Sequence, residues 1–369
     1  MSHPALANLA AILDAPPKTP PFSPKPQHWY AFSSGSWQPV PPSEAPYQQE
    51  SSSGSLSLRL LTWNIDMLIP FGRPRMQRAL EYLSELVATD PNNHFASESG
   101  EVSTAPPGVI ILPEEFGDRI RGAVKDNAKL SSLPENDPHN PYHHWSLEEH
   151  KHGRRTSIVD TDPWVRERFY ITDIDERNWD AGWYGTTTLI DRRLPVSNCF
   201  RVPMESRFGR DGLFVDIPLG IHNSEPRSTS DGAPASEPED NVLRICNVHL
   251  ESLSRRTLPL PLASSPGSQA ARRGSPHIAS GLITGDFNAI QPFDRTLHTD
   301  LNLRDAYLSL GAPENPTGRN PELEGPDPGF TWGFQSPPGE AERYGCSRMD
   351  KIMMCGAARA RSLVRIGRG

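Results

Sequence analysis

Leu61-Thr62-Trp63-Asn64-Ile65-Asp66 decides the fold, because the same kind of passage recurs four times downstream. The later passages are Leu112-Pro113-Glu114, Asn247-Val248-His249-Leu250-Glu251-Ser252, Gly285-Asp286-Phe287-Asn288 and Arg348-Met349-Asp350-Lys351-Ile352. Each couples an apolar run to polar or charged residues. Strands that deliver side chains to one edge of a sheet have that form. An asparagine, a glutamate, a histidine, an Asp–Asn pair and a further aspartate at strand ends suit a divalent cation and a phosphate.

Outward from these passages, residues 57–63 alternate as a strand, and 75–87 place Met76, Leu80, Leu83 and Val87 at helical spacing. A short buried strand follows over 109–112, then a helix over 116–130. Strand, helix, strand, helix opens an α/β fold. Residues 169–172, 185–190 and 213–217 read as strands whose close succession suggests antiparallel pairing. The passage 242–250 is a central strand, 277–286 carries another, and 331–332 and 350–354 supply the last.

Residues 1–55 form a Pro/Ser-rich arm, with a short helix over 5–13. Such composition buries too little apolar surface to order fully. Trp29, Tyr30, Phe32 and Trp37 are unusual in such an arm. They either pack on the domain or form a binding motif. The domain itself is expected over 56–369, with insertions at 223–240 and 259–276.

The 369 residues suit one large domain or two small ones. The net charge of -8 excludes a generally basic surface, leaving a local groove as the route to nucleic acid. The 4 cysteines show no CxxC spacing, so neither a zinc site nor a disulfide framework is expected, and a reducing compartment fits. Nothing resembles a signal peptide or a membrane span. A soluble intracellular protein is expected.

The chemistry of each candidate stands against a structural alternative. The Asn64 amide can hold a metal, a water or a phosphate oxygen, or simply make an Asx turn. Glu114 offers a hard oxygen for Mg2+, although an acid in a helix's first turn looks the same. His249 can hydrogen-bond a phosphate oxygen, or pack at a turn. Asp286 can accept a proton from water while Asn288 orients it, although a plain turn also favours this passage. Asp350 can orient a histidine, or form a surface ion pair with its basic neighbours.

Taken in order, the passages resemble the endonuclease/exonuclease/phosphatase superfamily, and within it the tyrosyl-DNA phosphodiesterase 2 branch. The likeness covers roughly residues 56–356. It implies a two-sheet α/β sandwich of the DNase I-like type. It also implies Mg2+ (or Mn2+) held by Glu114 and Asn64, with Asn64 also at the phosphate. Asp286 would activate the water, Asn288 would position it, His249 would match the superfamily's strand-end histidine, and Asp350 would orient a catalytic histidine. Tyr184, Arg210 and Trp332 would surround the DNA end. The implied partner is DNA with a 5′-linked tyrosyl peptide, the implied reaction hydrolysis of that bond, and the implied location the nucleus.

Three positions depart from the family pattern. Pro113 stands for a glutamine, and Ile290 for an arginine. Residues 357–369 lack the closing Ser-Asp-His passage, so the expected sandwich is without its final strand. Losing such a transition-state contact costs about 10²–10³ in rate by analogy with oxyanion-hole deletions. Two other readings stay open. One is a different superfamily phosphodiesterase, acting on abasic DNA, RNA, or inositol or lipid phosphates. The other is an inactive, truncated relative.

Overall fold

The computed structural model describes residues 23–43, 57–65, 72–89, 107–116, 158–174, 184–206, 208–219, 241–251, 277–290, 292–312, 329–333 and 346–366. Of Glu114 and Tyr184 only the backbone is described.

Two β-sheets face each other across an apolar layer, giving the expected α/β sandwich. The strands are β1 (Lys25–Pro26), β2 (Tyr30–Ser33), β3 (Ser36–Pro39), β4 (Arg59–Thr62), β5 (Gly108–Phe116), β6 (Phe169–Ile171) and β7 (Tyr184–Asp191). They continue with β8 (Asn198–Pro203), β9 (Asp211–Pro218), β10 (Asn241–His249), β11 (His277–Asp286), β12 (Arg304–Asp305) and β13 (Asp350–Gly356). One sheet has the order β1-β8-β9-β10-β11-β13-β12, the other β3-β2-β6-β7-β5-β4.

Alternation of side chains explains the three apolar layers. On β5, Val109 and Ile111 face the opposing sheet, while Ile110 and Leu112 face outward. The inner layer joins them to Ile190, Leu213, Val215, Ile217, Leu243, Ile245, Leu282 and Met354. The helix α1 (Gly72–Thr89) covers the outer face of the six-stranded sheet with Met76, Ala79, Leu80 and Leu83. Pro74 sits in its first turn, where a missing N–H costs nothing, and Asp90-Pro91 follows its end. Two short helices, α2 (Ile158–Thr161) and α3 (Pro163–Arg168), complete that face, with Asp162 capping α3 through the Val165 N–H at 3.0 Å. On the other sheet, Phe200, Phe214, Cys246, Val248 and Ile283 form an outer layer. The short helix α4 (Leu297–Asp300) packs Leu297 against it.

Two buried polar side chains tie the sheets together. Asn247 on β10 sends its Nδ2 toward Leu112 O (3.3 Å), Thr187 O (3.0 Å) and Thr188 Oγ1 (3.3 Å) on β5 and β7. Arg201 on β8 donates to Asp173 (2.7 Å), Asp211 (2.8 Å), Thr186 Oγ1 (3.0 Å) and Thr186 O (2.7 Å).

Several expectations need correction. The arm expected over 1–55 does not stand apart between residues 25 and 39. There β1 joins one sheet and β2 and β3 the other, with Trp29 buried at 4% exposure in the inner layer. Aromatic residues that can be buried offset the ordering cost that proline and serine cannot. The helix expected from 116 does not begin there, because Phe116 is the last residue of β5; residues 117–130 lie outside the described set. Thr331-Trp332 is not a strand, since Trp332 makes an isolated bridge to Ser347. The antiparallel succession holds for β6 and β7, but the chain then crosses to the other sheet at β8, which the sequence reading omitted. The insertions at 223–240 and 259–276 and the helix expected over 5–13 lie outside the described residues. The strands flanking 223–240 are antiparallel neighbours, as a hairpin requires.

Candidate active site

The polar residues of the site continue the apolar rows of the inner faces. Ile245 and Asn247 lead to His249 on β10, Leu282 and Thr284 to Asp286 on β11, and Met354 and Ile352 back to Asp350 on β13. Parallel pairing of β10 with β11 sets His249 opposite Asp286, and antiparallel pairing with β13 sets Asp286 opposite Asp350. Three strand ends thus carry a histidine and two carboxylates side by side. Asn64 reaches the same place from the other sheet, two residues beyond the end of β4.

Asp286 is the centre of this arrangement and is 5% exposed. Its Oδ2 accepts a hydrogen bond from Asn64 Nδ2 at 2.8 Å and lies 3.5 Å from His249 Nε2. Its Oδ1 accepts the Asn288 backbone N–H at 2.6 Å. Asn288 adopts a φ of 47°, a left-handed conformation that asparagine tolerates better than most residues. Its Nδ2 donates to Leu250 O at 2.8 Å, and Leu250 N donates to Asp286 O at 2.8 Å. The turns after β10 and β11 are therefore fastened to one another, directly behind His249 and Asp286.

Gly285 permits the close approach. Its φ is 137°, and a Cβ there would lie 2.0 Å from Val248 O. No side chain fits between the two strands at that point.

Asp350 is held from behind by Thr331. The Thr331 Oγ1 accepts the N–H groups of Met349 (3.1 Å) and Asp350 (2.9 Å). Burial pushes the Asp350 carboxyl well above the usual carboxylate range, and the neighbouring negative charge of Asp286 pushes it further the same way. Of the basic neighbours offered as ion-pair partners for Asp350, Arg348 donates its Nη1 to Asp305 at 2.8 Å.

The remaining candidates surround this cluster. Arg210 directly precedes β9, whose Gly212 pairs with Val248, the residue before His249. Its guanidinium lies 5.6 Å from the centre of the Phe208 ring. Trp332 is half-buried and bridges Ser347 just before β13. Tyr184 opens β7 and pairs with Phe116, at the site end of β5. Glu114 falls where β5 gains one residue over β7, a bulge between Leu112 and Glu115. The side chains of Tyr184 and Glu114 lie outside the described residues, as does Asp66.

The donor set suits a divalent cation of the Mg2+ class, which takes one or two carboxylates and keeps its waters. Asp350 Oδ1 is buried and has no hydrogen-bond partner among the described residues. Two adjacent acids, one with an orphaned oxygen, are a place where positive charge is favourable. Among the described residues no three His, Cys, Asp or Glu side chains converge into a metal cluster. The acids contributed there are Asp286 and Asp350.

Sequence reading missed Ser206, whose Oγ donates to Glu251 Oε2 at 2.8 Å. Those residues are 45 apart in the chain, and only the meeting of β8, β9 and β10 joins them. Thr331 was read as strand and carried no signal of its contact with Asp350.

No family model matches the chain, and no curated protein matches it. Solved structures resemble it, among them two of TDP2. One is TDP2 from C. elegans, at 14% identity over 82% of this chain and 65% of that chain, with a TM-score of 0.36. The other is selenomethionine TDP2 from Caenorhabditis elegans, at 15% identity over 82% and 64%, with a TM-score of 0.35. The chain thus spans less than two thirds of those chains' length. At these scores the likeness carries no chemistry, and the fold assignment rests on the two sheets themselves. Among the described residues no helix is long and apolar enough to cross a membrane.

Proposed function

We propose that the chain is a metal-dependent phosphodiesterase that hydrolyses the bond between a tyrosyl residue and a DNA 5′-phosphate. The observation that carries the reading is the setting of Asp286: Asn64 from one sheet and His249 and Asn288 from the other all converge on its carboxylate. The order of the five sequence passages supplies the substrate class.

In this reading Asp286 accepts a proton from a water whose oxygen attacks phosphorus. The P–O bond to the tyrosyl oxygen breaks in line, and its electron pair leaves with the phenolate. The products are a tyrosyl peptide and a DNA 5′-phosphate. Asn288 fixes the Asp286 carboxylate through its backbone N–H. His249 hydrogen-bonds a non-bridging phosphate oxygen. Asn64 holds Asp286 with its NH2 and presents its amide oxygen to phosphate or metal. A divalent cation held by Glu114 and Asn64, Mg2+ first and Mn2+ second, would supply charge to the phosphate oxygens. Arg210 meets the phosphate, and Tyr184 and Trp332 pack against the DNA end. With a net charge of -8, DNA must be held by such local contacts rather than by a basic face. A nuclear location follows from this substrate.

The test is a panel of a 5′-phosphotyrosyl oligonucleotide, an abasic duplex and poly(A), each with and without Mg2+. The reading predicts Mg2+-dependent release of tyrosine from the first. Cleavage confined to the abasic duplex or poly(A) would assign the site to another phosphodiester. Absence of any turnover would make the chain an inactive relative.

A further inference from the structure

Glu251 and Ser206 form a buried pair that the chemistry above does not use. They are 4% and 2% exposed. The Ser206 hydroxyl donates to Glu251 Oε2 at 2.8 Å, and Ser206 Oγ accepts the Phe208 N–H at 3.0 Å. The Phe208 ring in turn lies 5.6 Å from the Arg210 guanidinium. Met204 N donates to Arg210 O at 3.0 Å, closing the loop at its base, and Gly209 turns with a φ of 67°. Glu251 stands two residues beyond His249, and Leu250 between them is fastened to Asp286 O.

A continuous series of contacts therefore runs from the strand end bearing His249, through Glu251, Ser206 and Phe208, to Arg210. Ser206 thus brings a buried hydroxyl and Arg210 a half-buried cation to this series. A hydrogen bond between two buried groups is costly to break, because each would be left unsatisfied. Such a bond gives the loop one position relative to His249 rather than several.

We propose that Glu251 and Ser206 are positioning residues: their hydrogen bond, with that of Ser206 to the Phe208 N–H, ties Phe208 and Arg210 to the end of β10 and sets the Arg210 guanidinium to meet the substrate phosphate. Neither residue touches substrate. This rests on the phosphodiesterase reading, in which Arg210 contacts phosphate. The latch adds specificity for a terminal phosphate, because a loosened loop presents the same charge without its direction.

The test measures binding of a fluorescent 5′-phosphorylated oligonucleotide to the full chain with Mg2+, against the same oligonucleotide with a 5′-hydroxyl. The variants are Ser206→Ala, Glu251→Ala, Glu251→Gln, Arg210→Gln and the double variant Ser206→Ala/Arg210→Gln, each checked for folding by circular dichroism. Ser206→Ala and Glu251→Ala should each weaken binding to the phosphorylated end by about tenfold, the effect of roughly one lost buried hydrogen bond. Glu251→Gln, whose amide oxygen still accepts the hydroxyl, should stay within about threefold of the parent. The double variant should bind no more weakly than Arg210→Gln alone, because the latch acts through that side chain. Additive losses in the double variant, or Ser206→Ala and Glu251→Ala both binding like the parent, overturn the latch. Failure of the parent itself to prefer the phosphorylated end overturns the phosphodiesterase reading first, and the latch with it.

Discussion

Gly285→Ala tests the geometry of the strand ends without reference to any substrate. The new Cβ would lie 2.0 Å from Val248 O, 3.0 Å from its carbonyl carbon and 3.1 Å from its nitrogen. The obstacle is backbone, so no side chain can swing away, and β10 and β11 must part by about 1 Å in a close-packed layer. A φ of 137° also lies where only glycine is at ease. That conformation costs about 1–3 kcal/mol for another residue. Loosening one ladder hydrogen bond beside it adds about 1 kcal/mol. The sum is about 3 kcal/mol, and at about 2–4 °C per kcal/mol for a domain of this size the melting temperature should fall by about 6–12 °C. Gly108→Ala is the control, since a Cβ there meets nothing within 4 Å. Denaturant unfolding of both variants, followed by fluorescence, reads the difference directly. Equal stability of Gly285→Ala and Gly108→Ala would refute the close approach of Val248 and Gly285. Because the displaced strands carry His249 and Asp286, the same variant should lose about 10²-fold in phosphodiesterase turnover.

Arg201→Met leaves Asp173 and Asp211 buried without their cation, and should cost about 3–5 kcal/mol in denaturant unfolding; a loss below about 1 kcal/mol would mean that the cluster does not hold the sheets. Asn247→Ala removes the amide that spans from β10 to β5 and β7, and should cost about 1–3 kcal/mol by the same assay, with no loss counting against that bridge. The Asp350 carboxyl is raised in the folded protein, above an unfolded value of about 3.9. Its contribution to stability is therefore present below about pH 4 and is lost as pH rises through the raised value. In chelator-treated protein, Asp350→Asn should gain on the parent as pH rises above about 4, whereas a pH-independent difference would remove Asp286 and burial as the cause.

Much of the fold was legible because each core strand keeps its apolar character to its end. The passage 242–250 reads as central, and β10 lies between β9 and β11 with both faces covered. The β4–α1–β5 opening was legible from helical spacing between two apolar runs, and its strands pair in parallel. The strands β2 and β3 were hidden by proline and serine around them, although Trp29 and Trp37 supplied apolar surface enough for packing. β8 was missed because Asn198, Arg201 and Pro203 interrupt its pattern. Arg201 is nonetheless buried, since Asp173 and Asp211 meet its charge from elsewhere in the chain. The meeting of the candidate side chains was legible where they stand at strand ends, as at Asn64, His249, Asp286 and Asp350. Ser206 and Thr331 were not, because a hydroxyl's importance lies in a partner that only the tertiary fold supplies.

The central claim is that the Asp286 carboxylate, held between Asn64, His249 and Asn288, takes the proton of the attacking water. Single-turnover hydrolysis of a 5′-phosphotyrosyl oligonucleotide by the parent and by Asp286→Ala, with saturating Mg2+, tests it directly. The account predicts Mg2+-dependent release of tyrosine by the parent and a loss of about 10²–10⁴-fold in the variant. Release at the parent rate by Asp286→Ala would contradict it.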